Sequence, residues 1–174
     1  MSRIDYDLNA LRGVAFDVDG VLSPSTIPMD EKGVPQRMAN IKDGYALQLA
    51  RKMGIEIAII TGANTQSIAA RYNALGITDI YLKAGDKLPA LEDWMRRRGL
   101  TAHEVAYVGD DIPDMLPMQS VGLPVAPADA SPDIKAIACF ITKANGGYGV
   151  ARELLEEMLK ARGVWLTSDD AFGW

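Results

Sequence analysis

One cysteine, Cys139, and one histidine stand in 174 residues. A single thiol excludes an internal disulfide, and one of each ligand type cannot build a zinc site from histidine and cysteine. Basic residues do not dominate either: 18 Lys plus Arg face 23 Asp plus Glu, a net charge of −5. That balance argues against a nucleic-acid partner or an anionic membrane surface, so an anionic ligand has to be gripped locally. No apolar run approaches the roughly 18 residues of a membrane span, and the opening MSRIDYDLNALRGVAFDVDG lacks the apolar stretch of a secretory signal. The expectation is a cytoplasmic protein whose metal chemistry, if any, runs on carboxylates.

What is present is an ordinary globular composition, 48% hydrophobic and 24% charged, at a length that fits one domain over residues 1–174. Four short apolar runs, GVAF, IEIAIITG, EVAYVGDD and GLPVAPA, read as buried strands. Helical patterns lie between and after them, over residues 44–53, 65–75, 87–98, 134–138 and 150–162. Strands alternating with helices predict an α/β fold with a doubly wound parallel sheet. Residues 21–43 are too long for a simple connection. With turn-type Asp30-Glu31-Lys32-Gly33 between two short arms, they predict a projecting β-hairpin, and Pro28 and Pro35 hold both arms to edge positions. Residues 164–174 form a tail that carries Trp165, Phe172 and Trp174.

In such sheets ligands bind at the carboxyl ends of the strands, and the polar residues cluster there: Asp17 and Asp19, Thr61 and Gly62, and Gly109, Asp110 and Asp111. Asp17 and Asp19 could mark a capped turn or a calcium loop, but Val21 and Leu22 stand where such a loop needs oxygen ligands. Asp110, Asp111 and Asp114 could cap a helix, yet one Asp suffices for that. Extra acids beside Asp17 would repel one another without a cation, which favours Mg²⁺. Thr61 and Lys87 are the residue types that a phosphoryl group bound beside such an ion requires.

The ordered set FDVDGVL, IITG, Lys87 and VGDD resembles the haloacid dehalogenase-like phosphohydrolases. The resemblance implies that Asp17 attacks phosphorus to give an aspartyl phosphate while Asp19 serves as general acid and then base. It also implies Mg²⁺ on Asp17, the main-chain carbonyl of Asp19, and Asp110. Thr61 and Lys87 would hold the phosphoryl oxygens, with Gly62, Asp111 and Asp114 supporting them. Members of this superfamily usually carry a cap domain. Only 43 residues separate Asp17 from Thr61, and 25 separate Thr61 from Lys87, so no cap fits. An open site needs a roof, and a neighbouring subunit is the expected one, giving a closed homo-oligomer, a homotetramer by resemblance.

Further segments, NIKDGYALQLA, VAYVGDDIPDMLPM, VGLPVAPADASP and ANGGYGVARELLE, resemble the 3-deoxy-D-manno-octulosonate 8-phosphate phosphatases of lipopolysaccharide biosynthesis. In that family the positions of Asn40, Ile41, Lys42, Asp43, Gly44, Gln48, Arg71 and Lys87 bind the sugar acid. Many members have a basic residue where Gln48 stands and another at or beside Ala63. C-terminal segments in these enzymes can lie over an adjacent active site, which competes with packing of the tail on its own subunit. Two alternatives stay open. One is a phosphatase of a nine-carbon sialic-acid-type 9-phosphate. The other is a receiver-like phospho-accepting signalling domain, which would place its metal acids before its phospho-accepting Asp, the reverse of the order here.

Overall fold

The computed structural model describes residues 2–174. Six strands form one parallel sheet: β1 (Gly13–Phe16), β2 (Glu56–Ile60), β3 (Asp79–Tyr81), β4 (Val105–Val108), β5 (Leu123–Ala126) and β6 (Phe140–Ile141), in the order β3-β2-β1-β4-β5-β6. Four of these are the apolar runs of the sequence. β3 and β6 are too short, at three and two residues, to declare themselves by composition.

Six helices cover both faces: α1 (Ile41–Lys52), α2 (Gln66–Asn73), α3 (Lys87–Arg98), α4 (Met115–Gln119), α5 (Pro132–Ile137) and α6 (Val150–Ala161). Alternate residues of each strand feed opposite cores, as the two-residue period of a strand requires. Val14, Phe16, Ile57 and Ile59 pack under α1, α2 and α6, whereas Ala15, Ala58 and Ile60 pack with Leu91, Trp94, Met118 and Ile134 from α3, α4 and α5. No helix of the described residues is long and apolar enough to cross a membrane.

Between β1 and α1 the expected hairpin is reduced to a single antiparallel bridge, Met29 with Pro35. Asp30 closes the turn by accepting the amides of Lys32 and Val34, both at 2.9 Å. Pro28 and Pro35 have no N–H to donate, so a ladder cannot propagate through either arm. Among the described residues no separate cap layer is present in this segment or between β2 and α3.

The tail packs on α1 of the same chain. The Tyr45 hydroxyl donates to the Ala171 carbonyl at 2.5 Å, and Gln48 Nε2 donates to the Gly173 carbonyl at 3.0 Å. Trp165 and Trp174 both meet the Tyr45 ring edge-on, while Phe172 and Trp174 stay largely exposed.

Candidate active site

β1 and β4 are neighbours in the sheet whose onward connections run in opposite directions, the position where a doubly wound sheet opens a crevice at its carboxyl edge. Asp17 leaves the end of β1 there, its amide bonded to the Val108 carbonyl of β4 at 3.1 Å. The chain then turns tightly: the amides of Val21, Leu22 and Ser23 all donate to the Val18 carbonyl. Val18, Val21 and Leu22 anchor this turn in the core, so Asp17 and Asp19 are left facing the crevice. Gly20, at φ +82°, lies against the Asp110 carboxylate, and a Cβ there would occupy the same space.

Lys87 is the first residue of α3, at the positive end of the helix dipole, and it is 95% buried. Neither condition suits an ammonium unless anions face it. They do: Nζ lies 2.7 Å from Asp17 Oδ2 and 2.7 Å from Asp114 Oδ1. Burial opposes the charge on Lys87, but Asp17 and Asp114 outweigh it and raise its pKa. Asp17 is pushed in the same direction, well above the usual carboxylate range, by burial and then by the charge of Asp114, with Lys87 opposing both. Burial and Asp114 raise Asp110 to about 7. A divalent cation among these carboxylates would favour their ionised forms.

Oxygens of Asp17, Asp110 and Asp114 all lie within 4.8 Å of one another. Asp114 is fully engaged in the protein itself. Its Oδ1 accepts from Lys87 and from the Tyr107 hydroxyl at 2.8 Å, and its Oδ2 accepts the Asp110 amide at 3.0 Å. Asp114 therefore fixes the loop; Asp17 accepts the Val18 amide at Oδ1, 2.7 Å, and Lys87 at Oδ2, which leaves a further lone pair on each oxygen, so it and Asp110 could still reach an ion. Asp111 is exposed and caps the short 3₁₀ turn at Ile112–Asp114. Thr61, buried at the end of β2, accepts the Ala63 amide at 3.1 Å and keeps its hydroxyl proton for another partner. Asp17, Asp19, Thr61, Gly62 and Lys87 line one open cleft of about 310 Å³.

The expected sugar-acid residues divide into groups. Asn40 caps α1 through Oδ1, taking the Lys42 amide at 2.9 Å and the Asp43 amide at 3.1 Å, and its Nδ2 holds the Gly147 carbonyl at 3.2 Å. Asp43 turns inward and gives α6 the cap that Gly149 cannot, accepting the Arg152 amide at 2.7 Å. Asn40, Asp43, Gly44 and Arg71 share one small crevice, with Arg71 closing over Gly44. Ile41 and Lys42 stand exposed on the first turn of α1. Gln48 lies a turn further along, beneath the tail and away from that crevice.

Arg37 was not singled out by the sequence reading. Its guanidinium grips Asp19 with two bonds, Nε to Oδ1 at 2.7 Å and Nη2 to Oδ2 at 2.8 Å, while Nη1 donates to Thr65 Oγ1 at 3.0 Å. The only available signal was that Arg37 and Lys32 are the basic residues between Asp19 and Lys42.

Comparison with known proteins places this geometry in context. Residues 74–154 match the haloacid dehalogenase-like hydrolase family. The 3-deoxy-D-manno-octulosonate 8-phosphate phosphatase KdsC of Escherichia coli strain K12 is 40% identical over 153 residues, 88% of this chain and 81% of that protein. The corresponding phosphatase structure from Yersinia pestis superposes with a TM-score of 0.87 at 36% identity, covering 91% of this chain and 85% of that one. The Moraxella catarrhalis structure, in complex with magnesium ion, phosphate ion and KDO molecule, gives a TM-score of 0.85 at 33% identity and 89% of each chain.

Proposed function

The chain belongs to the 3-deoxy-D-manno-octulosonate 8-phosphate phosphatases, within the haloacid dehalogenase-like hydrolases, and we propose that Asp17 and Asp19 carry the reaction here. The observation that supports this most is the buried bridge of Lys87 between Asp17 and Asp114 at the β1/β4 crevice, with Asp110 alongside. A receiver-like domain is not favoured by any of these relatives.

In the proposed mechanism an Asp17 oxygen attacks phosphorus. The bond from phosphorus to the sugar oxygen breaks, and that oxygen takes a proton from Asp19, leaving the free sugar acid and an aspartyl phosphate. Water then attacks the same phosphorus as Asp19 takes its proton. The aspartyl bond breaks, inorganic phosphate leaves, and Asp17 is regenerated. Lys87 has three donors, two of them used on Asp17 and Asp114, so the third can meet a phosphoryl oxygen beside the Thr61 hydroxyl.

An all-carboxylate donor set suits a hard divalent ion, and the Moraxella catarrhalis relative holds magnesium. Asp17, Asp110 and the main-chain carbonyl of Asp19 would hold Mg²⁺, which when bound neutralises charge gathering on the phosphoryl oxygens.

Among the residues expected to bind the sugar acid, Arg71 and Lys42 are the cations outside the phosphoryl site that suit its carboxylate. Arg71 lines a cavity of about 210 Å³ beside Val18, and Lys42 is exposed at the start of α1. Gln48 and Ala63 offer no charge where many relatives are basic. The apolar side chains of Met29, Met38 and Ile41 are 50–71% exposed, which supports their burial against another subunit in the proposed homotetramer. Light scattering tests this, and a fully active monomer would refute it.

The deciding experiment is a phosphate-release screen with Mg²⁺ over eight- and nine-carbon sugar-acid phosphates. Preference in kcat/KM for 3-deoxy-D-manno-octulosonate 8-phosphate is expected. No release from that compound would overturn the substrate reading.

A further inference from the structure

Both oxygens of Asp19 are occupied by Arg37, in the parallel two-bond geometry that guanidinium and carboxylate form most strongly. The Arg37 side chain is 90% buried, whereas the Asp19 side chain is 40% exposed to the crevice. Held by two bonds, the Asp19 carboxylate is fixed in place and cannot swing toward a leaving group while both persist. The pair has to open for Asp19 to act, and something has to take the guanidinium when it does, because a buried, unpaired Arg is costly.

The surroundings of Arg37 supply the exchange partner's place. Arg37 lines the same cavity of about 210 Å³ as Arg71, with Met38, Ile68 and Tyr72 forming apolar wall. Arg37 and Arg71 thus face one space beside the crevice with no carboxylate of their own inside it, so the space suits an anionic group. Thr65 anchors the third nitrogen at the start of α2, where its hydroxyl forms no cap bond with its own helix. That contact gives Arg37 a pivot that stays when Asp19 is released.

We propose that Arg37 is a substrate-displaced clamp, a positioning residue that holds Asp19 aside in the free enzyme and moves onto an anionic group of the bound substrate. This rests on the reading of Asp19 as general acid and base. It couples turnover to occupancy: Asp19 becomes free to reach the leaving oxygen only once an anion has drawn the guanidinium away. The anion is the sugar acid's carboxylate or its phosphate, and the two can be told apart.

The test uses the full-length, Mg²⁺-loaded protein. The Nε–Hε resonance of Arg37, assigned by its loss in Arg37→Lys, is followed by ¹⁵N NMR during separate titrations with free 3-deoxy-D-manno-octulosonate and with inorganic phosphate. A shift with the sugar acid assigns the carboxylate as the partner, and a shift with phosphate alone assigns the phosphoryl group. No shift with either ligand, at concentrations where other cleft resonances report binding, overturns the clamp, whereas failure of the sugar acid to bind at all would count against the substrate reading instead.

Kinetics supply the second arm. Arg37→Ala is expected to raise KM for the sugar acid phosphate by about tenfold or more, with a smaller fall in kcat, because a contact made by bound substrate is lost while its competitor for Asp19 is lost too. Arg37→Lys should recover part of the KM. A fall in kcat with KM unmoved would mean that Arg37 orients Asp19 throughout the reaction, and would overturn the exchange.

Discussion

Lys87 Nζ lies 2.7 Å from Asp17 Oδ2 and 2.7 Å from Asp114 Oδ1, so one buried ammonium spans Asp17, the proposed nucleophile, and the residue that ties down the β4 loop. Asp114 is 99% buried and accepts from Tyr107 and from the Asp110 amide as well. Asp114→Ala would leave Lys87 with a single anion, and two buried donors without partners. A loss of about 3 kcal/mol in stability is expected, with a fall in kcat of about tenfold or more as Asp110 loses its support. Urea unfolding and steady-state kinetics measure both, and a variant as stable and active as the parent would remove Asp114 from this account.

Asp17→Asn should abolish phosphate release, by on the order of 10³-fold or more, since a neutral amide is neither a competent nucleophile nor an equal metal ligand. Asp19→Ala should cripple turnover to a similar degree yet keep most Mg²⁺ affinity, because only its main-chain carbonyl is assigned to the ion. Calorimetric titration with Mg²⁺ separates the two. Equal loss of binding in both variants would contradict the division of roles.

The parts of this site legible in the sequence are those where a strand ends and a polar residue follows at once. Asp17, Thr61 and Asp110 each close an apolar run, and the parallel sheet brings their ends together. Lys87 was legible only in company: alone it could be a solvated helix residue, and it stood out because a phosphoryl group beside Mg²⁺ needs a fixed cation next to a hydroxyl such as that of Thr61. Arg37 was not. It lies in irregular chain 18 residues from Asp19, and no period or spacing links two residues whose meeting depends on how a segment folds back. The same segment misled in another way: turn chemistry at Asp30–Gly33 was visible, but two prolines leave too few donors for a ladder, so the arms meet at one bridge. Asp43 was read for the substrate, and it lines the crevice with Asn40 and Arg71; its second task, supplying the missing cap of α6, is a long-range contact for which Gly149 is the only hint.

Asp43 also carries a pH dependence. Burial raises its carboxyl from 3.8 to about 6, and the amide and charge of Arg152 offset this only in part. Oδ1 accepts the Arg152 amide and the buried Oδ2 has no partner. A carboxyl raised by folding favours the folded state while protonated. That contribution is complete below the unfolded value near 4 and is lost as pH rises through about 6. The interval corresponds to about 3 kcal/mol. Asp43→Asn keeps an acceptor for Arg152 and never ionises. It should therefore be more stable than the parent at neutral pH, and the gap should close as pH falls toward about 4. Urea midpoints across that range check the sign, and a pH-independent difference would show that Asp43 is not the titrating group.

The tail allows two outcomes that one truncation separates. Ala171 is buried at 3% exposure, and the Ala171 and Gly173 carbonyls are held by Tyr45 and Gln48 of α1. Two hydrogen bonds and the edge-on contact of Trp174 with Tyr45 favour the packed tail, and the entropy of ordering five residues opposes it, so the net contribution is small. Removing residues 170–174 should lower stability by no more than the two hydrogen bonds are worth, about 2 kcal/mol, and free the Gln48 amide, which then needs water in place of the Gly173 carbonyl. Phe172 and Trp174, at 75% and 73% exposure, contribute little to that sum, because most of their surface is still in water. Their exposed faces are what a role over a neighbouring subunit's pocket would use. If the truncated protein keeps its stability but changes KM and kcat, the tail acts between subunits and its packing on α1 is incidental; if stability falls and the kinetics hold, α1 is its working partner.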